Sequence, residues 1–160
     1  MLTGYITIDE FKESPYYCAF ETCCNFSGDI DILISGYIDM ATALVKNYLG
    51  YDLWVQQRKE RFLGKDNHIY FTQYYPLQEV NFLFYRVKNR PSCTGDISYI
   101  ITDPEKGVLE SDCIFHSDYR YELNYNAGYT EIPHDIKVAC FIIISQVSMQ
   151  IDLGNIANPN

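Results

Sequence analysis

DIDILISGYIDMATALVKNYLG, residues 29–50, is the stretch that decides the fold. Ile30, Leu33, Ile34, Tyr37, Ile38, Ala41, Leu44, Val45, Tyr48 and Leu49 recur at steps of three and four, the period of one helical face. Asp31, Ser35, Asp39 and Lys46 fall on the other face. Asp29 suits the N-cap, because its side chain accepts from the free N–H groups of the first turn. Gly50 suits a left-handed stop. The predicted helix over 29–49 is about 30 Å long at 1.5 Å per residue. Gly36 inside it costs about 1 kcal/mol relative to alanine, a cost that a close crossing by another helix would explain.

Towards the N-terminus, Thr7 and Glu10 have the spacing of a capping box, so a short helix starts there. It should stop by Ser14, because Pro15 disfavours helical geometry in the residue before it. Residues 16–27 read either as a second short helical piece or as a loop.

Towards the C-terminus, about Leu53 to Tyr125 reads as β. Leu53, Val55, Gln57 and Lys59 open an alternating run, and Gly64-Lys65-Asp66-Asn67 is turn material. His68 to Thr72, Val80 to Val87 and Ile97 to Thr102 are rich in aromatic and β-branched residues. Pro91 and Gly95 bound a loop between the last two, and residues 103–107 form a turn. Val108-Leu109, Cys113 to His116 and Tyr119 to Tyr125 complete a sheet whose short strands call for antiparallel pairing. Pro133, with its fixed φ, opens a last helix to about Gln150. Nine of its twelve residues from Ile136 to Val147 are apolar, more than one face requires. The helix is therefore central in the monomer or covered by a neighbouring subunit. Asp152 to Asn160 is polar, with Gly154 and Pro159, and reads as a flexible tail.

Composition sets the outer bounds. A chain of 160 residues with 48% hydrophobic residues buries roughly 70% of its unfolded surface and needs neither metal nor disulfide to fold. A net charge of −9 argues against a nucleic-acid clamp, which needs a basic face. Fifteen tyrosines fit either a Tyr-rich core and sheet or protein interfaces, where Tyr is enriched. No basic segment followed by an apolar run opens the chain, and no stretch reaches about 18 apolar residues, so no signal peptide and no membrane span are expected. The six cysteines, Cys18, Cys23, Cys24, Cys93, Cys113 and Cys140, are then expected to stay reduced after synthesis in the cytoplasm. Zinc sites need paired ligands, usually twice. Here only Cys18, Cys23 and Cys24 cluster, and His68, His116 and His134 stand apart. No disulfide, metal or other cofactor is expected.

No residue set points to catalysis: nucleotide-binding glycine loops, HExxH and GxSxG are all missing. Asp29/Asp31 and Glu110/Asp112 read as a helix cap and a solvated loop rather than as paired catalytic carboxylates. Cys113 and His116, three apart on a strand, point to opposite faces and cannot form a dyad there. The chain is not expected to be an enzyme.

Certain local strings carry a resemblance. Ile8-Asp9-Glu10-Phe11-Lys12, the run Ala41-Thr42-Ala43-Leu44-Val45 followed by Tyr48-Leu49-Gly50, Tyr74-Tyr75-Pro76-Leu77-Gln78-Glu79-Val80, and above all residues 125–139, YNAGYTEIPHDIKVA, stand in order along nearly the whole chain. In these the chain resembles the bacteriophage head–tail connector, or adaptor, proteins. Gly128 in the most specific string permits a sharp bend out of the last strand before Pro133 opens the helix. The chain departs from smaller members of that family in its long middle, about Arg58 to Leu123, and in the Cys-rich segment Cys18 to Cys24.

The resemblance implies an α+β fold: a helical bundle (short N-terminal helix, long helix about 29–49, C-terminal helix about 133–150) with an antiparallel β insertion. On that reading 1–160 is a single adaptor domain, 53–125 is the insertion and 151–160 the flexible tail. The implied function is a structural virion subunit of a homo-oligomeric ring, twelve copies being typical, that joins the portal to the tail and extends the DNA channel. The implied partners are the portal protein, other copies of the chain, a downstream tail or stopper protein, and genomic DNA in transient passage without sequence-specific binding. No membrane partner is implied. The place is the portal–tail junction of the virion, assembled in the host cytoplasm. An acidic balance suits a channel wall, since repulsion keeps phosphates from sticking. Ile151, Leu153 and Ile156 alternate with polar residues and are the candidate portal or neighbour interface, because the family often docks its C-terminal segment on the portal. Two alternatives stay open: an intracellular β-rich ligand-binding protein with an aromatic-lined cavity, and a tail-completion or stopper protein of the same virion. The long helix argues against the second.

Overall fold

The computed structural model describes residues 4–23, 28–88 and 90–156, and the side chains of these except 23, 90–93 and 151–156. The chain folds as two compact units: Met1–Asp52 with Glu131–Asn160, and Leu53–Thr130.

The first unit is helical. Helix α1 (Ile8–Glu13) opens on the expected capping box. The Glu10 N–H donates to Thr7 Oγ1 (3.1 Å) and the Thr7 N–H donates to Glu10 Oε2 (2.7 Å). The helix ends at Ser14, before Pro15. Helix α2 (Tyr17–Cys23) makes the first part of 16–27 helical; Cys24 and residues 25–27 lie outside the described residues. Helix α3 (Ile30–Leu49) is capped by Asp29 and stops at Gly50, whose φ of 79° is left-handed and whose N–H donates to Lys46 O (2.8 Å).

The buried stripe of α3 is Ile34, Ile38, Ala41, Thr42 and Val45. Leu44 and Tyr48, expected on the core face, are 47% and 89% exposed. Leu44 lies one residue, about 100° of helix turn, from Val45, and Tyr48 lies in the last turn, three residues beyond Val45, the last buried position. Among the described residues no crossing element meets Gly36: an added Cβ would find nothing within 4 Å.

Helix α4 (His134–Ile156) starts one residue after Pro133, whose carbonyl accepts from the Ile136 and Lys137 N–H groups at 3.1 Å each. It runs well past the expected end near Gln150. Cys140, Phe141, Ile144, Ser145 and Ser148 are its buried positions, while Ile136, Val138, Ile142 and Ile143 remain half-buried. Its core is aromatic: Phe11 meets Phe20 edge-on (5.3 Å) and lies 6.0 Å from Phe141. Lys137 ties α4 to α1 through Glu10 (2.8 Å).

The second unit has no helix among its described residues. Its strands are β1 (Gln56–Leu63), β2 (Asn67–Phe71), β3 (Leu77–Val87), β4 (Arg90–Asp96), β5 (Ile100–Asp103), β6 (Val108–Phe115) and β7 (Tyr119–Ala127). They form a four-stranded sheet in the order β1-β7-β3-β4 and a three-stranded sheet in the order β2-β6-β5, antiparallel throughout. Strict alternation on central β7 buries Tyr121, Leu123, Tyr125 and Ala127 and turns the residues between them outward. The two sheets share one core, in which Phe62 stacks on Tyr70 (3.6 Å) and Tyr121 (5.1 Å) and Phe115 meets Tyr121 edge-on (5.2 Å). Tyrosine is thus core material here as much as surface.

A helical bundle carrying a β insertion is therefore not the architecture. The strand-rich half, with two sheets and a core of its own, is not an appendage to helices. The helices weighed too heavily in the sequence because one 20-residue period is a stronger signal than seven short strands. The segment bounded by Pro91 and Gly95 was also expected to be a loop and is strand β4.

Candidate assembly surfaces

The outward residues of the four-stranded sheet form cross-strand rows. Lys59 faces Asn124, which faces Phe82. In the next row Arg61 faces Glu122, Glu122 faces Phe84 and Phe84 faces Asp96. In the third, Leu63 faces Arg120, Arg120 faces Arg86 and Arg86 faces Thr94. Arg61, Leu63, Phe84, Arg86, Arg120 and Glu122 of the last two rows line an open cavity of about 480 Å³.

Its charges do not balance. Glu122 accepts from Lys59 (2.6 Å) and Arg61 (3.0 Å). These donors, Lys59 first, hold its carboxyl below the usual range. One carboxylate thus serves two cations. Arg86 and Arg120 are exposed, lie directly opposite each other, and have no acidic partner among the described residues. Like charges opposed across a strand pair oppose pairing. Among the described residues the compensation for Arg86 is the ring of Phe84, 5.4 Å from its guanidinium, a contact worth about 0.5–1 kcal/mol when exposed.

Charge is also divided between the units. The helical unit carries eleven acidic against three basic residues, and the β unit ten against nine. Asp9, Glu13 and Asp39 on the helices are exposed and enter no ion pair among the described residues. Net charge taken over the whole chain conceals both the acidic unit and the arginine face. The signal that could have found the face was the period-two recurrence of Lys59, Arg61 and then Arg120 on neighbouring strands.

The sequence-predicted interface residues Ile151, Leu153 and Ile156 lie on the last turns of α4, with their side chains outside those described. Two further apolar side chains of α3 are exposed, Ile32 (72%) and Tyr48 (89%), but sixteen residues of helix set them about 160° apart, so they do not make one face.

The specific string of the sequence lies at the end of β7. Gly128 has φ 125°, and its N–H donates to Pro76 O (2.9 Å), after the cis Tyr75–Pro76 peptide. The Tyr129 N–H donates to Leu53 O (2.7 Å), and Tyr129 bridges Trp54 in parallel. The two ends of the β unit are thus clasped together, and at Gly128 an added Cβ would meet the Leu53 and Trp54 carbonyl oxygens.

Of the cysteines, Cys18 and Cys113 are exposed and Cys140 is buried, all three as free thiols. The side chains of Cys23 and Cys93, and Cys24, lie outside the described residues. Among the described residues no three His, Cys, Asp or Glu side chains converge, and no helix is long and apolar enough to cross a membrane. Burial pushes the Cys140 thiol up to about 11, and the thiolate is the reactive form. Alkylation of the native chain at pH 8, followed by mass spectrometry, should modify Cys18 and Cys113 and spare Cys140 until denaturant is added. Equal rates at all three would contradict the burial of Cys140.

No curated protein sequence matches this chain. Among the solved chains that share its fold are two from gene transfer agent particles. One, from the neck of an empty gene transfer agent (GTA) particle computed with C6 symmetry, superposes with a TM-score of 0.54 at 15% identity, covering 91% of this chain and 82% of that one. The other, from the virion of a native GTA particle, gives 0.54 at 14% identity, covering 91% and 83%. A family model, head completion protein, matches residues 7–147, which takes in the capping box, the whole of α3, the Gly128 clasp and most of α4. The resemblance to phage head–tail connector proteins holds along the chain, and the chain belongs to the head completion protein family.

Proposed function

We propose that this chain is a non-catalytic structural subunit of the head–tail junction of a virion, where copies form a closed ring on the portal and extend the DNA channel towards a tail-side protein. The observation that carries the reading is the family match over residues 7–147, both units included. The fold it shares with a chain in a particle neck supports the place. Twelve copies are expected; a twelve-membered ring contains a six-fold axis, so it is compatible with the C6 symmetry of that neck. Closure follows from one heterologous contact repeated until the rotation completes. Ring and portal are then joined by many weak contacts that act together. The net charge of −9 disfavours adhesion of passing DNA. Mass photometry of the purified chain, alone and with its portal, tests the ring: one closed oligomer of about twelve is expected, and a monomer under both conditions would contradict it.

The last turns of α4, with Ile151, Leu153 and Ile156, are proposed to dock on the portal or on a neighbouring copy. Because the backbone there is helical as far as Ile156, the segment would present a helix rather than an added strand. Deleting residues 151–160 should leave a folded chain that no longer joins heads to tails. Infectious particles built from the truncated chain would refute this role and leave the segment a frayed terminus.

A further inference from the structure

We propose that the outer face of the four-stranded sheet, centred on Arg86 and Arg120, docks the acidic helical unit of a second copy of this chain. The inference rests on the ring reading and names the contact that would repeat.

Two arginines directly opposed, with no acid between them, are an arrangement the monomer gains nothing from. Lys59 and Arg61 already share Glu122, so that carboxylate is not free to serve a third or fourth cation. The face therefore offers surplus guanidinium donors beside the apolar edges of Phe84 and Leu63, around an open cavity of about 480 Å³. Guanidinium groups bind carboxylates through paired N–H donors, so acidic side chains fit this face better than any neutral surface.

The chain itself supplies them. Its helical unit has eleven acidic residues against three basic ones. Asp9 and Glu13 stand four apart on α1, hence on one side of it, exposed and without an ion pair among the described residues. A basic patch on one unit and an acidic patch on the other make a heterologous, head-to-tail contact, which propagates from copy to copy and closes a ring. Long double-stranded DNA is the competing occupant. The acidic balance of the chain as a whole, −9, disfavours its approach.

The test uses the full chain, with ring formation on the portal read by mass photometry and folding by circular dichroism. R86Q/R120Q should melt at or above the wild-type temperature, since a repulsion is removed, yet assemble at least about tenfold more weakly at low salt. R86E/R120E should abolish assembly, and D9K/E13K should do the same. Mixing those two variants should restore alternating rings. Normal assembly by folded R86Q/R120Q overturns the pairing and leaves the ring reading standing. So does loss of assembly that the mixture does not rescue. So does a change in binding of a duplex DNA probe with assembly intact. A wild-type chain that never forms a ring overturns both.

Discussion

Gly128→Ala is expected to destabilise the β unit by more than about 3 kcal/mol. At φ 125° an L side chain is strained whatever surrounds it. Here the surroundings are also closed, since an added Cβ would sit 2.5 Å from Trp54 O and 2.7 Å from Leu53 O. Those atoms are backbone and cannot swing aside as a side chain could. Moving them would also break the Tyr129-to-Leu53 hydrogen bond that clasps the two ends of the unit. Gly50→Ala is the matched control. Its φ is 79°, left-handed, with nothing within 4 Å among the described residues, so it should cost only about 1–2 kcal/mol. Urea unfolding followed by circular dichroism separates the two. Equal midpoints for the variants would mean that the clasp is not rigid.

Glu60 is the second position of large expected effect. It is buried on β1 at 8% exposure. Its carboxyl accepts from the Tyr70 hydroxyl (2.6 Å), the Gln73 N–H (2.8 Å) and the Tyr125 hydroxyl. Tyr70 belongs to the three-stranded sheet and Tyr125 to the four-stranded one, so one side chain holds both sheets together. Glu60→Ala strands these buried donors and should cost about 3 kcal/mol or more. Glu60→Gln keeps an acceptor oxygen and should cost about 1–2 kcal/mol. Burial first, and then donation to Glu60, push both tyrosine hydroxyls well above their ordinary value of 10. For groups raised on folding, the linked stability is fully present below the unfolded value and is lost as the pH climbs past it. The β unit should therefore weaken as pH rises above about 10, and Tyr70→Phe/Tyr125→Phe should flatten that decline. A wild-type stability unchanged between pH 9 and 11.5 would contradict it.

How much of this was legible depended on whether a signal was local. Thr7 and Glu10, Pro15, Asp29 and Gly50 each fix a helix end through their own backbone chemistry, and α1 and α3 fall where those residues put them. Which face of α3 is buried was less legible, because Leu44 and Tyr48 fit the helical period yet lie outside the core. The strand β4 was lost because Pro91 and Gly95 read as breakers. On an edge strand a proline forfeits no ladder bond, and β4 is an edge. The true end of α4 was hidden by Asp152 and Gly154, although Ile151 continues the spacing set by Ile144 and Val147. The arginine face could not be seen from net charge. It appears only when the β1–β7–β3 register sets Arg120 between Leu63 and Arg86.

Copies of this chain are proposed to form a ring between head and tail. Electron microscopy of the assembled particle, reconstructed about its tail axis, would show that ring. The expected map shows a closed ring of this chain seated on the portal, with its channel continuous with the portal channel. A map that places the chain off the portal–tail axis, or as isolated copies without ring closure, would contradict it.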